Sequence, residues 1–349
     1  MSPQPSPSPR PRRIDIHTHF LPQGAVAAQQ TGAEWFGTRL EIVDGRPSAI
    51  TLGRRFPLGS LSHFQQSMES RLEVMSNRNV DIQVLSLLPP LYRYDLAPSL
   101  GVAAAEHVND EIAAITRRWP TRFRGLATLP LQDPAAAVRE LERAVSILGL
   151  DGAAVGTNVR GANWDHPTLF PVLEAAARLR ALLFVHPESV RPREPLAHFY
   201  LGNLIGNPFE TTVAVASIIF SGVLDRLPDL RLCFAHGGGY ACFGIGRMDH
   251  GYSVRDEPRV GGARLIPTDY LRTMYFDSLT HSHQALRYIV EAVGAEHVVM
   301  GSDYPADMGS VDPVAFVETC AGLSQNDREA ILGGNLERLL RIPPAVLLE

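Results

Sequence analysis

Ile14-Asp15-Ile16-His17-Thr18-His19-Phe20 is a short run of alternating apolar and polar residues that carries two histidines spaced i, i+2 near its end. In a strand, side chains two apart point to one face, so His17 and His19 can present imidazoles side by side to a single metal ion. On its own the pair reads more readily as the end of an ordinary surface strand. Three later stretches repeat the form: Phe184-Val185-His186-Pro187, Cys233-Phe234-Ala235-His236-Gly237-Gly238-Gly239 and Val299-Met300-Gly301-Ser302-Asp303-Tyr304-Pro305. Each is an apolar run of strand length that ends in a side chain able to bind a metal or carry a proton.

Working outward, the runs 13–19, 82–88, 123–129, 153–158, 182–186, 232–236, 274–278 and 298–302 read as eight buried strands. Helical periodicity separates most of them, at 63–79, 100–118, 134–148, 167–180, 210–227, 238–250 and 283–293, and helices at 313–321 and 326–340 close the chain. Asp133-Pro134 supplies an N-cap followed by proline at the first helical position, and Gly149 stands just past the end of that helix. Alternating strands and helices imply a parallel sheet, and eight strands close a (β/α)8 barrel, so the expected fold is an α/β barrel of the TIM type. Residues 21–62 hold glycine, proline and scattered aromatics without sustained period, and are expected to form a lid insertion over the site. Residues 1–12, rich in proline, serine and arginine, are expected to be a disordered tail, and 13–349 a single domain.

Composition narrows the function. The chain of 349 residues is 45% hydrophobic and 20% charged, enough to bury a large core, and its net charge of −5 offers no basic field to a nucleic acid. No apolar run approaches the roughly 20 residues that span a bilayer, so a soluble, cytoplasmic protein is expected. Cys233, Cys242 and Cys320 fit neither a disulfide framework nor a metal-binding Cys pair, which points to a reducing compartment. All 32 basic residues are arginine. Chemistry through a Schiff-base lysine, a phosphate-loop lysine or a carbamylated lysine bridging two metals is thereby closed.

In such a barrel the C-terminal ends of the strands converge on one face. His17 and His19 end the first strand, His186 the fifth, His236 the sixth and Asp303 the eighth, so all five are expected to meet. Neutral imidazoles with a carboxylate suit a borderline divalent cation, above all Zn²⁺, which lowers the pKa of bound water to about 7.

The four motifs resemble the amidohydrolase superfamily (amidohydrolase family 2), and most of all its branch of metal-dependent carboxymuconate-semialdehyde decarboxylases, over about residues 13 to 340. The resemblance implies that His17, His19, His186 and Asp303 bind one divalent metal ion, and that His236 is an acid/base histidine near the metal but not bound to it. A single metal agrees with the missing lysine. The run Gly244-Ile245-Gly246-Arg247-Met248-Asp249-His250-Gly251-Tyr252 also resembles that branch, in which the matching arginine reaches into the neighbouring subunit's site and binds a substrate carboxylate. This implies a substrate-binding role for Arg247 and a homodimer. Arg55, or its neighbour Arg54, resembles a second carboxylate-binding arginine, Tyr200 stands for an aromatic that lines the family pocket, and Arg255 resembles an interface arginine. Glu188 and Ser189 depart from the tryptophan and aspartate that follow the His-Pro motif in that branch.

The function so implied is zinc-dependent, non-oxidative decarboxylation of a small unsaturated or aromatic carboxylic acid, resembling a carboxymuconate semialdehyde or a hydroxybenzoate. The same ligands would serve hydrolysis of an amide or lactone, with Asp303 or His236 shuttling the proton, or hydration of an unsaturated dicarboxylate. His63, His107, His166, His198, His250, His281 and His297 lie outside the strand ends and read as structural or surface residues, while His283 sits close to the site face.

Overall fold

The computed structural model describes residues 10–43, 46–51, 54–57, 61–192 and 194–343, with the backbone alone at several positions between 46 and 62. Eleven strands are present among them: β1 (Ile14–Phe20), β2 (Thr38–Val43), β3 (Arg46–Thr51), β4 (Arg54–Pro57), β5 (Ile82–Leu87), β6 (Phe123–Gly125), β7 (Gly152–Gly156), β8 (Leu182–His186), β9 (Arg231–Phe234), β10 (Tyr275–Asp277) and β11 (Val298–Val299). All eight expected runs form strands. They make two parallel sheets in chain order, β1-β5-β6 and β7-β8-β9-β10-β11.

The sheets meet at both edges. Ala127 N–H donates to Gly152 O and Ala154 N–H to Ala127 O, each at 2.8 Å, which joins β6 to β7. Ile16 N–H donates to Met300 O at 3.0 Å and Asp303 N–H to His17 O at 2.8 Å, which joins β1 to the segment after β11. The strands read as almost unbroken apolar runs because both faces are covered; β5, β7 and β8 are buried along their whole length. Phe184, Phe234 and Phe276 are fully buried, the latter two stacked with ring centroids 5.9 Å apart and Phe184 packed edge-on against His17 at 5.1 Å.

Local chemistry explains where the structure departs from the periodicity. The segment 21–62 contains a helix, Gln23–Thr31, and the antiparallel sheet β2-β3-β4. In β2 buried Thr38 and Leu40 alternate with exposed Arg39 and half-buried Glu41, and buried Ser48 and Ala49 of β3 are small, so the described part of the sheet shows little hydrophobic signal. The expected helix 63–79 is two helices, Leu61–Phe64 and Met68–Asn77, because Ser67 turns its hydroxyl onto Ser70 N–H and becomes an N-cap. Helix 238–250 begins only at Ala241, since Gly237, Gly238 and Gly239 all have positive φ. Helix 210–227 is replaced by Asn207–Phe220 and Val223–Arg226, with Gly222 at φ 67° between them. Helix 326–340 is interrupted by a π-helical turn at Ala330–Gly334, where the backbone of Arg12 packs so closely on Gly333 that a Cβ there would lie 1.8 Å from Arg12 O. Within the stretch expected to be a tail, Arg10 pairs with Asp81 at 2.7 Å and Arg12 donates to Pro343 O at 2.6 Å; residues 1–9 lie outside the described residues.

Beyond Gly125 the chain stays extended and borrows a side chain for its backbone. Buried Asn109, on the helix Pro98–Arg118, donates to Thr128 O at 3.0 Å and accepts from Thr128 N–H at 2.8 Å, and its amide also reaches Glu140 at 2.6 Å. Asn109→Ala leaves the N–H and C=O of Thr128 without these partners, at about 1–3 kcal/mol for each buried polar group left unpaired, while Glu140 keeps its bonds from Arg143. The expected result is a loss of about 2–4 kcal/mol in urea unfolding, with the metal ligands untouched. A loss under about 0.5 kcal/mol would mean that water replaces the side chain.

Candidate metal centre and active site

The ends of β1, β8 and β11 bring His17, His19, His186 and Asp303 together, with their ligand atoms within 4.8 Å of one another. All four are buried. A break in the β1–β5 register lies between Asp15 and Thr18, beside the histidine pair. Buried Asp15 accepts from His17 N–H at 3.2 Å, from Ser302 N–H at 3.0 Å and from the Ser302 hydroxyl at 2.5 Å, and so ties the ligand pair of β1 to the loop that carries Asp303.

Each imidazole is oriented by its surroundings. His17 Nδ1 donates to Asp277 Oδ2 at 2.6 Å, and His186 Nδ1 donates to Pro187 O at 2.8 Å. Both rings therefore turn Nε2 inward, and those two Nε2 atoms are buried without a hydrogen-bond partner among the described residues. His19 Nε2 lies 2.9 Å and His17 Nε2 3.4 Å from Asp303 Oδ1. Orphaned nitrogens around a carboxylate oxygen cost stability unless something occupies the space between them, and a divalent cation fits this donor set.

The electrostatics make the same demand. Burial opposes a charge on His17, yet Asp303 and Asp277 overcome it and raise its pKa to about 10. Burial likewise works against an ionised Asp303, but His17 and His19 hold its carboxyl well below the usual range. His186 is pushed well below the ordinary histidine value by burial, then by His17 and His19. The centre thus holds the Asp303 carboxylate beside a His17 ring that favours a positive charge and a neutral His186, so it draws positive charge onto itself, which a cation can supply in place of the His17 proton.

His236 stands beside this cluster, its ring centroid 5.1 Å from that of His17 and 5.0 Å from that of His186. Burial, followed by the charge of His17, lowers its pKa to about 4, so the ring is neutral near pH 7 and able to take a proton. Its Nδ1 is buried without a partner among the described residues. His236 has φ 55° and Asp303 φ 61°, a left-handed conformation uncommon outside glycine. Such strain persists only where surrounding contacts enforce it. Here the enforcing group is Asp277, which accepts from His236 N–H at 3.0 Å, Gly237 N–H at 2.8 Å and Leu279 N–H at 3.1 Å in addition to the His17 ring. The sequence reading passed over Asp277, although it ends β10 as the histidines end their strands.

A two-lobed cavity opens in front of the centre, with volumes of about 450 and 480 Å³. His236, Asp303, Asn203, Asn207 and Met308 line both lobes. The first lobe also holds His19, His186, Phe64, Glu188 and Tyr200, the Tyr200 hydroxyl being pushed up in pKa by burial and then by Asp307. Tyr240, Phe243 and Tyr288 line the second, together with His281, which had read as structural or surface. His283 instead packs on Phe316, with ring centroids 4.8 Å apart. Arg247 is exposed on the helix Ala241–Val254 and lines neither lobe, so one chain does not bring it to the site. Arg255 is exposed and pairs with Glu257. The backbone of Arg54 and Arg55 runs in β4, and their side chains lie outside the described residues, as does any contact of theirs with the cavity. From 21–62 no described residue lines either lobe.

The amidohydrolase family model matches residues 14–342. The 2-amino-3-carboxymuconate-6-semialdehyde decarboxylase of Dictyostelium discoideum is 34% identical over 332 residues, which cover 95% of this chain and 92% of that protein. Among solved structures, the 5-carboxyvanillate decarboxylase of Sphingomonas paucimobilis superposes with a TM-score of 0.80 at 28% identity, covering 95% of this chain and 99% of its own. A dihydroxybenzoic acid decarboxylase of Polaromonas, crystallised with manganese and an inhibitor, shares the fold with a TM-score of 0.79 at 23% identity, over 95% of this chain and 97% of that one.

Asp277→Asn tests the bracket. Both carboxylate oxygens accept hydrogen bonds, and an amide puts its own N–H₂ against two of those donors. Metal affinity is expected to fall about 10- to 100-fold, as for other groups that orient a ligating histidine, when measured by competition with a chelator. Unchanged affinity would show that His17 is held by its packing alone.

Proposed function

The chain belongs to the amidohydrolase family, and from that premise we propose that it is a metal-dependent non-oxidative decarboxylase of a small aromatic or unsaturated carboxylic acid. The activity is that of a carboxy-lyase. The observation that carries this reading is the convergence of three buried imidazoles on the Asp303 carboxylate at the floor of a cavity, with neutral His236 alongside. Two nearby relatives, acting on a carboxymuconate semialdehyde and on carboxyvanillate, bracket the substrate class. Parallel strands bonded edge to edge support a closed eight-stranded barrel, with 21–62 as an inserted subdomain beside it.

His17, His19, His186 and Asp303 would hold the ion, which fits zinc by its nitrogen-rich ligands; manganese occupies the Polaromonas structure. When bound, it supplies the positive charge that fixes the substrate carboxylate or a neighbouring oxygen. Loss of CO₂ breaks a C–C bond and leaves its electron pair on carbon, so one proton must be delivered there. His236 manages that proton, and Asn203 and Asn207 can hydrogen-bond polar groups of the substrate.

Among the described residues lining the two lobes there is no arginine, although the substrate is an anion. Arg247 lies one helical turn beyond Phe243, which lines the outer lobe and is 79% exposed, and Tyr240 and Leu204 are exposed beside it. A second copy covering this apolar rim would exclude water and lend its Arg247 to the substrate carboxylate, which makes the working unit a homodimer. Among the described residues no helix is long and apolar enough to cross a membrane, and the three buried, unpaired cysteines fit a reducing cytoplasm.

Metal-replete protein is expected to release CO₂ from a hydroxybenzoate or carboxymuconate acid, and to carry about one tightly held ion per chain by elemental analysis. Consumption of substrate without CO₂ would point to the hydrolase or hydratase instead. His236→Ala is expected to keep its metal and lose on the order of 10² or more in kcat, whereas His17→Ala should lose metal and activity together. Mixing inactive His236→Ala and Arg247→Ala subunits should restore part of the activity if the arginine acts across the interface. Persistent inactivity after demonstrated subunit exchange would confine Arg247 to its own chain or remove it from the site.

A further inference from the structure

Two of the three clustered imidazoles are fixed through their own rings, His17 by Asp277 at 2.6 Å and His186 by Pro187 O at 2.8 Å. His19 has a weaker hold. Its Nδ1 faces the Ser86 hydroxyl at 3.5 Å, the outer limit of a hydrogen bond, and Ser86 already gives its proton to Thr18 O at 2.9 Å. The direction of this ligand is therefore set mainly by its backbone. His19 N–H donates to Tyr304 O at 2.7 Å, and His19 O accepts from Nη1 of Arg71 at 2.8 Å.

Arg71 lies in the helix Met68–Asn77 and is only 6% exposed. Its guanidinium makes three contacts at once: Nη1 on His19 O, Nε on Gln83 Oε1 of β5 at 2.7 Å, and its face over the Tyr304 ring, 4.8 Å from the centroid. Tyr304 directly follows the Asp303 ligand, and its hydroxyl donates to Gln66 at 2.9 Å, which keeps the ring in place. One planar group thus spans the strand that carries His19, the neighbouring strand and the loop that carries Asp303. These contact partners are all neutral, and burial draws the pKa of Arg71 down to about 10, which leaves it charged near pH 7. A cation buried against neutral partners, beside a centre that attracts cations, costs the fold stability that an apolar side chain would spare. Its planar fork is what no such replacement can copy.

We propose that Arg71 is a positioning residue of the metal centre: by holding the His19 carbonyl and the Tyr304 ring together, it fixes the His19 imidazole against Asp303 and so sets the affinity and geometry with which an ion is bound. The inference rests on the metal-centre reading of the site and not on the reaction that the ion serves. Lysine is no substitute here, since its ammonium is a point charge without fork or face.

The test follows Co(II) on wild type, R71M, R71K and N109A, with Kd taken from competition with a chelator and coordination from the visible absorption bands. Urea unfolding ranks their stabilities. R71M removes the fork and leaves an apolar stem against Tyr304; it is expected to bind Co(II) about 10- to 100-fold more weakly and to alter the bands. R71K keeps the charge and loses the fork, so it should be weakened as well. N109A loses stability away from the ligands and is expected to keep both affinity and bands. Wild-type Kd and bands in folded R71M, or an equal loss in N109A, overturn the proposal. Should R71M fail to fold, R71K decides, and unchanged affinity and bands there overturn the proposal too. Wild type that takes up no Co(II) overturns the metal reading itself, whereas tight wild-type binding matched by R71M overturns the role of Arg71 alone.

Discussion

The buried carboxylate of Asp277 takes four hydrogen bonds from three parts of the chain, and the geometry of the centre depends on it. It turns the His17 ring so that Nε2 faces inward, and it gathers the backbone N–H groups at the start of the glycine turn that carries His236. A buried anion is tolerable only when its oxygens are saturated in this way. The same group thus sets the direction of the His17 ring and the position of His236, two side chains that would otherwise drift independently.

Strain and charge are concentrated at the same spot. His236 and Asp303 occupy left-handed backbone that non-glycine residues seldom adopt, and the His17 ring stands about 5 Å from those of His19, His186 and His236, close enough for its charge to depress their protonation. Apart from a metal, this arrangement is unfavourable. Burial by the strands and the bond from Asp15 to Ser302 hold it in place.

Much of this was legible in the sequence, for a physical reason: strands buried on both faces must be apolar, so a histidine or aspartate at the end of an apolar run stands out. Every parallel strand was readable on that ground, and so was the meeting of His17, His19, His186, His236 and Asp303; that His236 stands outside the four-residue cluster was implied by the resemblance alone. The helices were placed well but bounded poorly where a side chain or a glycine decided the boundary, as at Ser67, Gly237 and Gly333. The sheet β2-β3-β4 was missed because its described buried residues, Thr38, Leu40, Ser48 and Ala49, include a single large apolar side chain, and such strands look like loop. Asp277 was missed because a carboxylate that orients other groups has no spacing signature of its own. The position of Arg247 relative to the cavity could not be read from helical periodicity, which shows that a residue is exposed and not how far it lies from a site on the same chain.

The ligand set also fixes when in the life of the chain the site can exist. His17 and His19 lie on β1 and Asp303 on the loop after β11, far apart in the chain, with β1 bonded directly to the segment around Met300 and Asp303. Contacts so distant in sequence form late and slowly. During synthesis the two histidines must wait until the segment that carries Asp303 has followed. Metal capture is then coupled to completion of the fold, so a truncated or stalled chain has no means of retaining the ion.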